Sequence, residues 1–234
     1  MKKIDIIATI GPASMATGTM GRMAAAGMTI GRINTKYGSM KQYAEMMDGL
    51  RAAGCKIMLD FCRGAMLGWI FKQKYDFLAV SFAGSPEQIR RLRKKAGRRV
   101  RIVSKIEDRE GIKNIDGLIK ESDGIMVARG DLGKNIPIEK LPVFQKLIIR
   151  KCNRGGKMVI TATEMLLSMT RSATPERAEV SDVANAVLDG SDALMLSEET
   201  AIGKHPVLAV ATMKRIIDEI QRDEDVLGYV LKNL

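Results

Sequence analysis

The chain has 234 residues, 46% hydrophobic and 28% charged, with a formal net charge of +11. That is ordinary globular composition, and the length allows one large α/β barrel or two small domains. No apolar run reaches the roughly 20 residues a helix needs to cross a bilayer, and no membrane partner is expected.

The start, MKKIDIIATIG, has a basic tip, but Asp5 interrupts its short apolar run; it reads as a first strand and lacks a signal-peptide pattern. Apolar or β-rich segments then recur at residues 5–10, 29–33, 57–60, 77–82, 101–105, 124–128, 158–161 and 193–197. Each suits a parallel strand covered by helices on both faces. Between most of them lie helical segments, at 40–53, 86–95, 111–121, 143–153 and 206–221. Ser85-Pro86 and His205-Pro206 place proline in a first helical turn, and Gly54, Gly97 and Gly155 close other helices. Eight strand–helix units predict an α/β fold, a single compact (β/α)8 TIM barrel running through residues 1–234. An open doubly wound sheet would carry a glycine-rich turn after its first strand; Gly11-Pro12 stands there, and no GxGxxG or GxxxxGK[ST] occurs. One connection is tight. Between strands three and four only FCRGAMLGWIFKQKYD is available, its helix is barely two turns, and Trp69 is expected to pack there as core.

Cys55, Cys62 and Cys152 form no CxxC pair and read as reduced thiols of a cytoplasmic protein. The basic run RRLRKKAGRRVR, residues 90–101, follows a helix start and holds no aromatic residue for base stacking. A solvated helix face is expected there, with no nucleic-acid partner.

In a barrel, chemistry gathers at the C-terminal ends of the strands. The stretch IMVARGDLG, residues 125–133, passes from a buried strand to Arg129, Gly130 and Asp131 within three residues. Taken alone it is an ordinary turn. The other strand ends make it more: Arg32, Asn34 and Lys36 after strand two, Asp60 after three, Lys105 and Glu107 after five. Strand seven ends in Thr161 to Glu164, and strand eight in Ser197, Glu198 and Glu199. Lys105 and Glu107 are two apart on an extended segment and so face the same way. Glu107 and Asp131, on neighbouring strands, suit Mg²⁺ or Mn²⁺, which take hard oxygens and leave positions for substrate. Lys105 beside them would neutralise an anionic oxygen or protonate a carbanion. Backbone N–H groups of the Gly130–Gly133 turn could hold a carboxylate or phosphate. The competing reading is a plain ion-pair belt around the barrel mouth.

These residues also carry a resemblance. ATIGPAS (8–14), GMTIGRIN (27–34), SKIEDREGIKNID (104–116) and DGIMVARGDLG (123–133) are followed by KCNRGGKMVITATEML and RAEVSDVANAVLDGSDALMLSEETAIGKHP. In this order they are similar to the catalytic barrel of the pyruvate kinase family. The resemblance implies that Glu107 and Asp131 are divalent-metal ligands and that Lys105 stabilises the transferring phosphoryl group and the enolate. It implies that Arg32 binds phosphate, and that Gly130, Asp131 and Thr163 hold the carboxylate of phosphoenolpyruvate or pyruvate. Asn34 and Asp60 match two members of a potassium site.

The departures are specific. The family inserts a lid domain between strands three and four, where this chain has only the region 61–69, and its large C-terminal domain has no counterpart here. LDTKGPEIR reads LDFCRGAML, so Phe61 replaces a potassium-ligating threonine and Arg63 is the substitute for the family's following arginine. NFSHG reads NTKYG, placing Lys36 at a serine ligand and Tyr37 at a nucleotide-side histidine; GET reads Glu198-Glu199-Thr200. The Lys36 ammonium, near Asn34 and Asp60, is expected to replace K⁺ as a tethered cation. Arg129, Ser197 and Glu199 join the site at its edge. The expectation is a metal-dependent enzyme acting on phosphoenolpyruvate, pyruvate or a related 2-oxo acid, with weak use of ADP or ATP, as a monomer or small homo-oligomer. The alternatives are a nucleotide-free lyase or decarboxylase working through a pyruvate enolate, and a non-catalytic ligand-binding barrel.

Overall fold

Eight short strands close in sequence order into one parallel barrel, β1 pairing with β8. They are β1 Asp5–Thr9, β2 Ile30–Asn34, β3 Lys56–Phe61, β4 Phe77–Val80, β5 Arg101–Ile106, β6 Gly124–Ala128, β7 Met158–Ala162 and β8 Ala193–Leu196. The computed structural model describes residues 3–62 and 66–222. Each strand is apolar on both faces, for two reasons. One row, with Ile7, Ile30, Met58, Ala79, Val103 and Met195 among its members, plugs the barrel interior. The alternate row, including Ile6, Ile33, Leu59, Val80, Ile125 and Leu194, packs under the surrounding helices.

The helices are α1 Thr19–Ala25, α2 Met40–Ala52, α3 Leu67–Ile70, α4 Pro86–Ala96, α5 Arg109–Lys113, α6 Ile115–Glu121, α7 Arg129–Asn135, α8 Leu141–Arg154, α9 Arg177–Leu188, α10 Glu198–Ala201 and α11 Pro206–Arg222. Ser85 caps α4 by accepting from Gln88 N, with Pro86 in the first turn, as its sequence predicts. The single helix expected over 111–121 is two. Asp108 caps α5 through Gly111 N at 2.8 Å, and Asn114 interrupts the run, its side chain donating to Gly84 O at 2.6 Å. Gly54 and Gly97 take positive φ at helix ends, and Gly155 caps α8, with the positive φ there on the next residue, Gly156 (φ 61°). Helix α1, which carries no side-chain cap, opens from Gly18 and gave no start signal in sequence.

Among its described residues the connection from β3 to β4 carries the one-turn α3. Trp69 is half-buried there and meets Tyr43 of α2 with ring centroids 5.8 Å apart. The basic run lies mostly exposed along α4 and its following turn, where Arg90 pairs with Glu121 at 2.8 Å and Arg93 with Asp123. Among the described residues no helix is long and apolar enough to cross a membrane. Burial pushes the Cys152 thiol up to about 12, with Asp192 adding to the effect, so that cysteine stays protonated and packs as a small apolar group.

Candidate active site

Two residues beyond the interior plug, the same inward row turns polar. Ile7 leads to Thr9, Ile30 to Arg32, Met58 to Asp60, Ala79 to Ser81, Val103 to Lys105 and then Glu107. The period of two therefore seats a polar crown on an apolar floor. All six are buried. Asp60, with no exposed surface, is the hub: it accepts from Arg32 Nε at 2.8 Å and Nη2 at 2.7 Å, and from Ser81 Oγ at 3.2 Å. Lys105 Nζ lies 3.0 Å from Asp60 Oδ2, 2.9 Å from Ser81 Oγ and 3.0 Å from Glu107 Oε1. Glu107 Oε2 accepts the Phe82 N–H at 2.6 Å, a bond allowed by the left-handed turn at Phe82 (φ 48°). Arg32 Nη1 donates to Thr9 Oγ1 at 2.9 Å.

Burial acts against every charge in this cluster, and the partners decide which survive. For Asp60 burial pushes upward, but Lys105 and Arg32 outweigh it and hold the carboxyl below its ordinary value. For Lys105 burial pulls downward, and Asp60 with Glu107 overcomes it, so the ammonium stays charged. Glu107 is the member for which burial wins: Lys105 and the Phe82 N–H offset it only in part, and its carboxyl sits above the ordinary range.

The remaining strand ends divide. Asn135 Nδ2 donates to Glu107 O at 3.0 Å and Asp131 O at 2.9 Å, strapping β5's end to α7. The Asp131 side chain is half exposed and meets Lys134 at 3.3 Å. Glu107 and Asp131 are one buried and one half-exposed carboxylate on tied backbones, and carboxylate oxygens are the hard donors that Mg²⁺ or Mn²⁺ takes, with waters and ligand oxygens completing the shell. Among the described residues no three His, Cys, Asp or Glu side chains converge, so those further oxygens would be needed. Gly130 lies against Thr163: a Cβ there would come within 2.7 Å of Thr163 Cγ2. Asn34 Oδ1 accepts the Lys36 N–H at 3.1 Å, while the exposed Lys36 ammonium stands over the Tyr37 ring, 5.4 Å from its centroid. The tethered-cation placement is thus corrected: the cations on Asp60 are Arg32 and Lys105. Arg63 lies outside the described residues.

Two edge residues turn out to brace loops. Glu199 is fully buried, accepts Leu166 N at 3.1 Å and Ser197 N at 2.7 Å, and so joins the loops after β7 and β8. Arg129 turns away from the mouth to the β7 loop and Asp182. Sequence reasoning missed Thr9, Ser81 and Asn135. Counting two from Ile7 and Ala79 along the inward row would have found the first two.

Beside the crown, a cavity of about 650 Å³ opens between β1, β2 and the β8 end, lined by Thr9, Arg32, Asn34, Tyr37, Met46 and Glu198 among others. The family model described as pyruvate kinase, barrel domain, matches residues 63–210. The chain belongs to the pyruvate kinase family. It is 51% identical to a pyruvate kinase of Clostridium acetobutylicum over 156 residues, 65% of this chain and 33% of the relative. For the Clostridium perfringens pyruvate kinase the figures are 49% over 167 residues, 70% and 35%; for that of Leishmania mexicana, 55% over 153 residues, 64% and 31%. The chain spans about a third of the length of these curated relatives. Within the pyruvate kinase barrel, the matched segment carries β4 to β8, and with them Ser81, Lys105, Glu107, Asp131 and Thr163.

Proposed function

We propose that this barrel acts on phosphoenolpyruvate and pyruvate, with Mg²⁺ or Mn²⁺ held by Glu107 and Asp131, and that it transfers the phosphoryl group to ADP only weakly. The observation that carries the reading is a buried, charged Lys105 beside Arg32 on one shared carboxylate. Two fixed cations on a dry floor are suited to the charge of a phosphoryl group or an enolate. A divalent ion would add Lewis-acid withdrawal of charge from the substrate oxygens.

The chain's own residues divide the work. Arg32 spends three of its five N–H bonds on Asp60 and Thr9, leaving two for a ligand phosphate in the adjoining cavity. Lys105 has all three N–H bonds engaged, so it donates to substrate only by releasing Ser81 or a carboxylate. Gly130, Asp131 and Thr163 hold the substrate carboxylate. Arg32 and Lys105 supply the positive charge beside Asp60.

Weak nucleotide use follows from Glu198. It is exposed, lines the same cavity as Arg32, and would repel a polyphosphate. The short β3–β4 connection also leaves the mouth without a clamp. Substituting Glu198→Gln should lower the KM for ADP about three- to tenfold at low salt, an effect that shrinks in 0.5 M KCl as screening sets in. Steady-state kinetics at the two salt concentrations reads this directly.

The reading is tested by following pyruvate with Mg²⁺ and phosphoenolpyruvate, with and without ADP, and in parallel with oxaloacetate. Slow ADP-dependent pyruvate formation supports it. ADP-independent pyruvate from oxaloacetate alone replaces it with a nucleotide-free decarboxylase, and neither activity together with no Mn²⁺ binding leaves a ligand-binding barrel.

A further inference from the structure

Thr163 and Glu164 follow β7 with φ angles of 78° and 54°. Two consecutive non-glycine residues in the left-handed region, one of them β-branched, persist only where the surroundings hold them. One side chain does most of that holding. Arg129 donates to Thr163 O from Nε at 3.1 Å and from Nη2 at 2.7 Å, and Nη2 also reaches Glu164 O at 3.1 Å and Met165 Sδ at 3.0 Å. Its Nη1 pairs with Asp182 of α9 at 2.6 Å and reaches Gln145 Oε1 of α8 at 3.4 Å. The fork is thus used on every edge, and its side chain is only 11% exposed. From the other side Gly130 admits the Thr163 methyl where any Cβ would collide with it.

We propose that Arg129 is a positioning residue. Anchored by Asp182, it clamps the left-handed turn and so fixes where Thr163 stands at the end of β7, without itself touching a ligand. The inference rests on the reading of Thr163 as a carboxylate-binding residue. A guanidinium is needed because one rigid fork bridges two backbone carbonyls and a carboxylate at once; a lysine could pair with Asp182 but could not span the three.

Four variants test this: Arg129→Lys, Asp182→Asn, Thr163→Ala, and the combined Arg129→Lys/Thr163→Ala. The probe is oxalate, titrated calorimetrically at saturating Mn²⁺, with Mn²⁺ affinity measured separately. Arg129→Lys should weaken oxalate about 10- to 100-fold and Asp182→Asn about fivefold, with Mn²⁺ affinity unchanged within twofold. In the Thr163→Ala background the lysine substitution should add less than a twofold loss, because its effect passes through that threonine. Wild-type oxalate affinity in Arg129→Lys, or an undiminished loss in the double variant, overturns the proposal while leaving the functional reading in place. A wild-type chain that binds Mn²⁺ but no oxalate overturns both. Should Arg129→Lys not fold, Asp182→Asn with and without Thr163→Ala makes the same comparison, since it keeps the guanidinium and removes only its anchor.

Discussion

Lys105→Met should reduce pyruvate formation at least about 10³-fold, the largest catalytic effect expected of any single substitution in the crown. Loss of one preorganised donor in a dry site typically lowers turnover 10²- to 10³-fold, and Lys105 supplies a full charge as well as three hydrogen bonds. Methionine keeps the length and fills the space, so the apolar floor of Met58, Val103 and Met126 is undisturbed. Stability falls too, because Asp60 and Glu107 lose a shared cation. Breaking a buried ion cluster from one side commonly costs about 3–5 kcal/mol. Here part of that is avoidable. Asp60 keeps Arg32, and Glu107, whose carboxyl already lies above the ordinary 4.5, can take up a proton. A carboxyl raised in the folded state stabilises fully below its unfolded value and loses that contribution as pH rises through its folded value. Without Lys105 the folded value climbs further. The gap between Lys105→Met and wild type should therefore be small near pH 5 and widen toward pH 8, as urea midpoints at the two pH values would show. A gap that is flat or widens toward acid would mean that Glu107 does not answer the loss.

How much of this was visible in the chain itself depends on the range of the interaction. The strands were legible because short apolar or β-rich segments, recurring between helical stretches, have few other uses. Lys105 and Glu107 were legible for a local reason: two residues apart on a strand, they must share a side, and the structure pairs them at 3.0 Å. Ser81 and Thr9 were not, since a serine or threonine at a strand end carries no signal until the inward row is known. Arg129 was read as a mouth residue, yet Asp182, 53 residues later, draws it behind the β7 loop. Glu199 looked like a site acid because of where its strand ends; two backbone N–H groups from neighbouring loops make it a brace. Lys36 follows Asn34 by two residues, and Asn34 pairs in register with Asp60 on the next strand, but Tyr37 offers the Lys36 ammonium an aromatic face in solvent, while Asp60 is already enclosed by nearer cations. The break between α5 and α6 likewise depends on Gly84, thirty residues before Asn114. Local pattern set the scaffold; long-range partners chose what each polar side chain does.

Asp60→Asn should show the opposite pH signature from Lys105→Met, and with it the larger loss of stability near neutrality. The amide matches the carboxyl in shape but turns an N–H donor toward a donor on at least one side, and it leaves Arg32 and Lys105 buried together with no anion between them. Arg32 loses its carboxylate partner and Lys105 keeps only Glu107, and this loss should lower stability by about 3–5 kcal/mol. Unlike Glu107, Asp60 has a carboxyl held below its ordinary 3.8, so its contribution is fully present above that value and is lost only as pH falls through the lower folded value. The difference from wild type should hold constant from pH 8 down to about pH 5 and close only in stronger acid, where the wild-type chain itself loses the pair. Activity should fall about 10²-fold or more, because Arg32 no longer has the two bonds that orient its fork toward the cavity. Acid and urea unfolding of both variants beside wild type separates the two carboxylates of a single network. If Asp60→Asn were as stable as wild type at pH 7, the crown would have to hold its cations by some partner other than Asp60, and the reading of Lys105 as a fixed charge would fall with it.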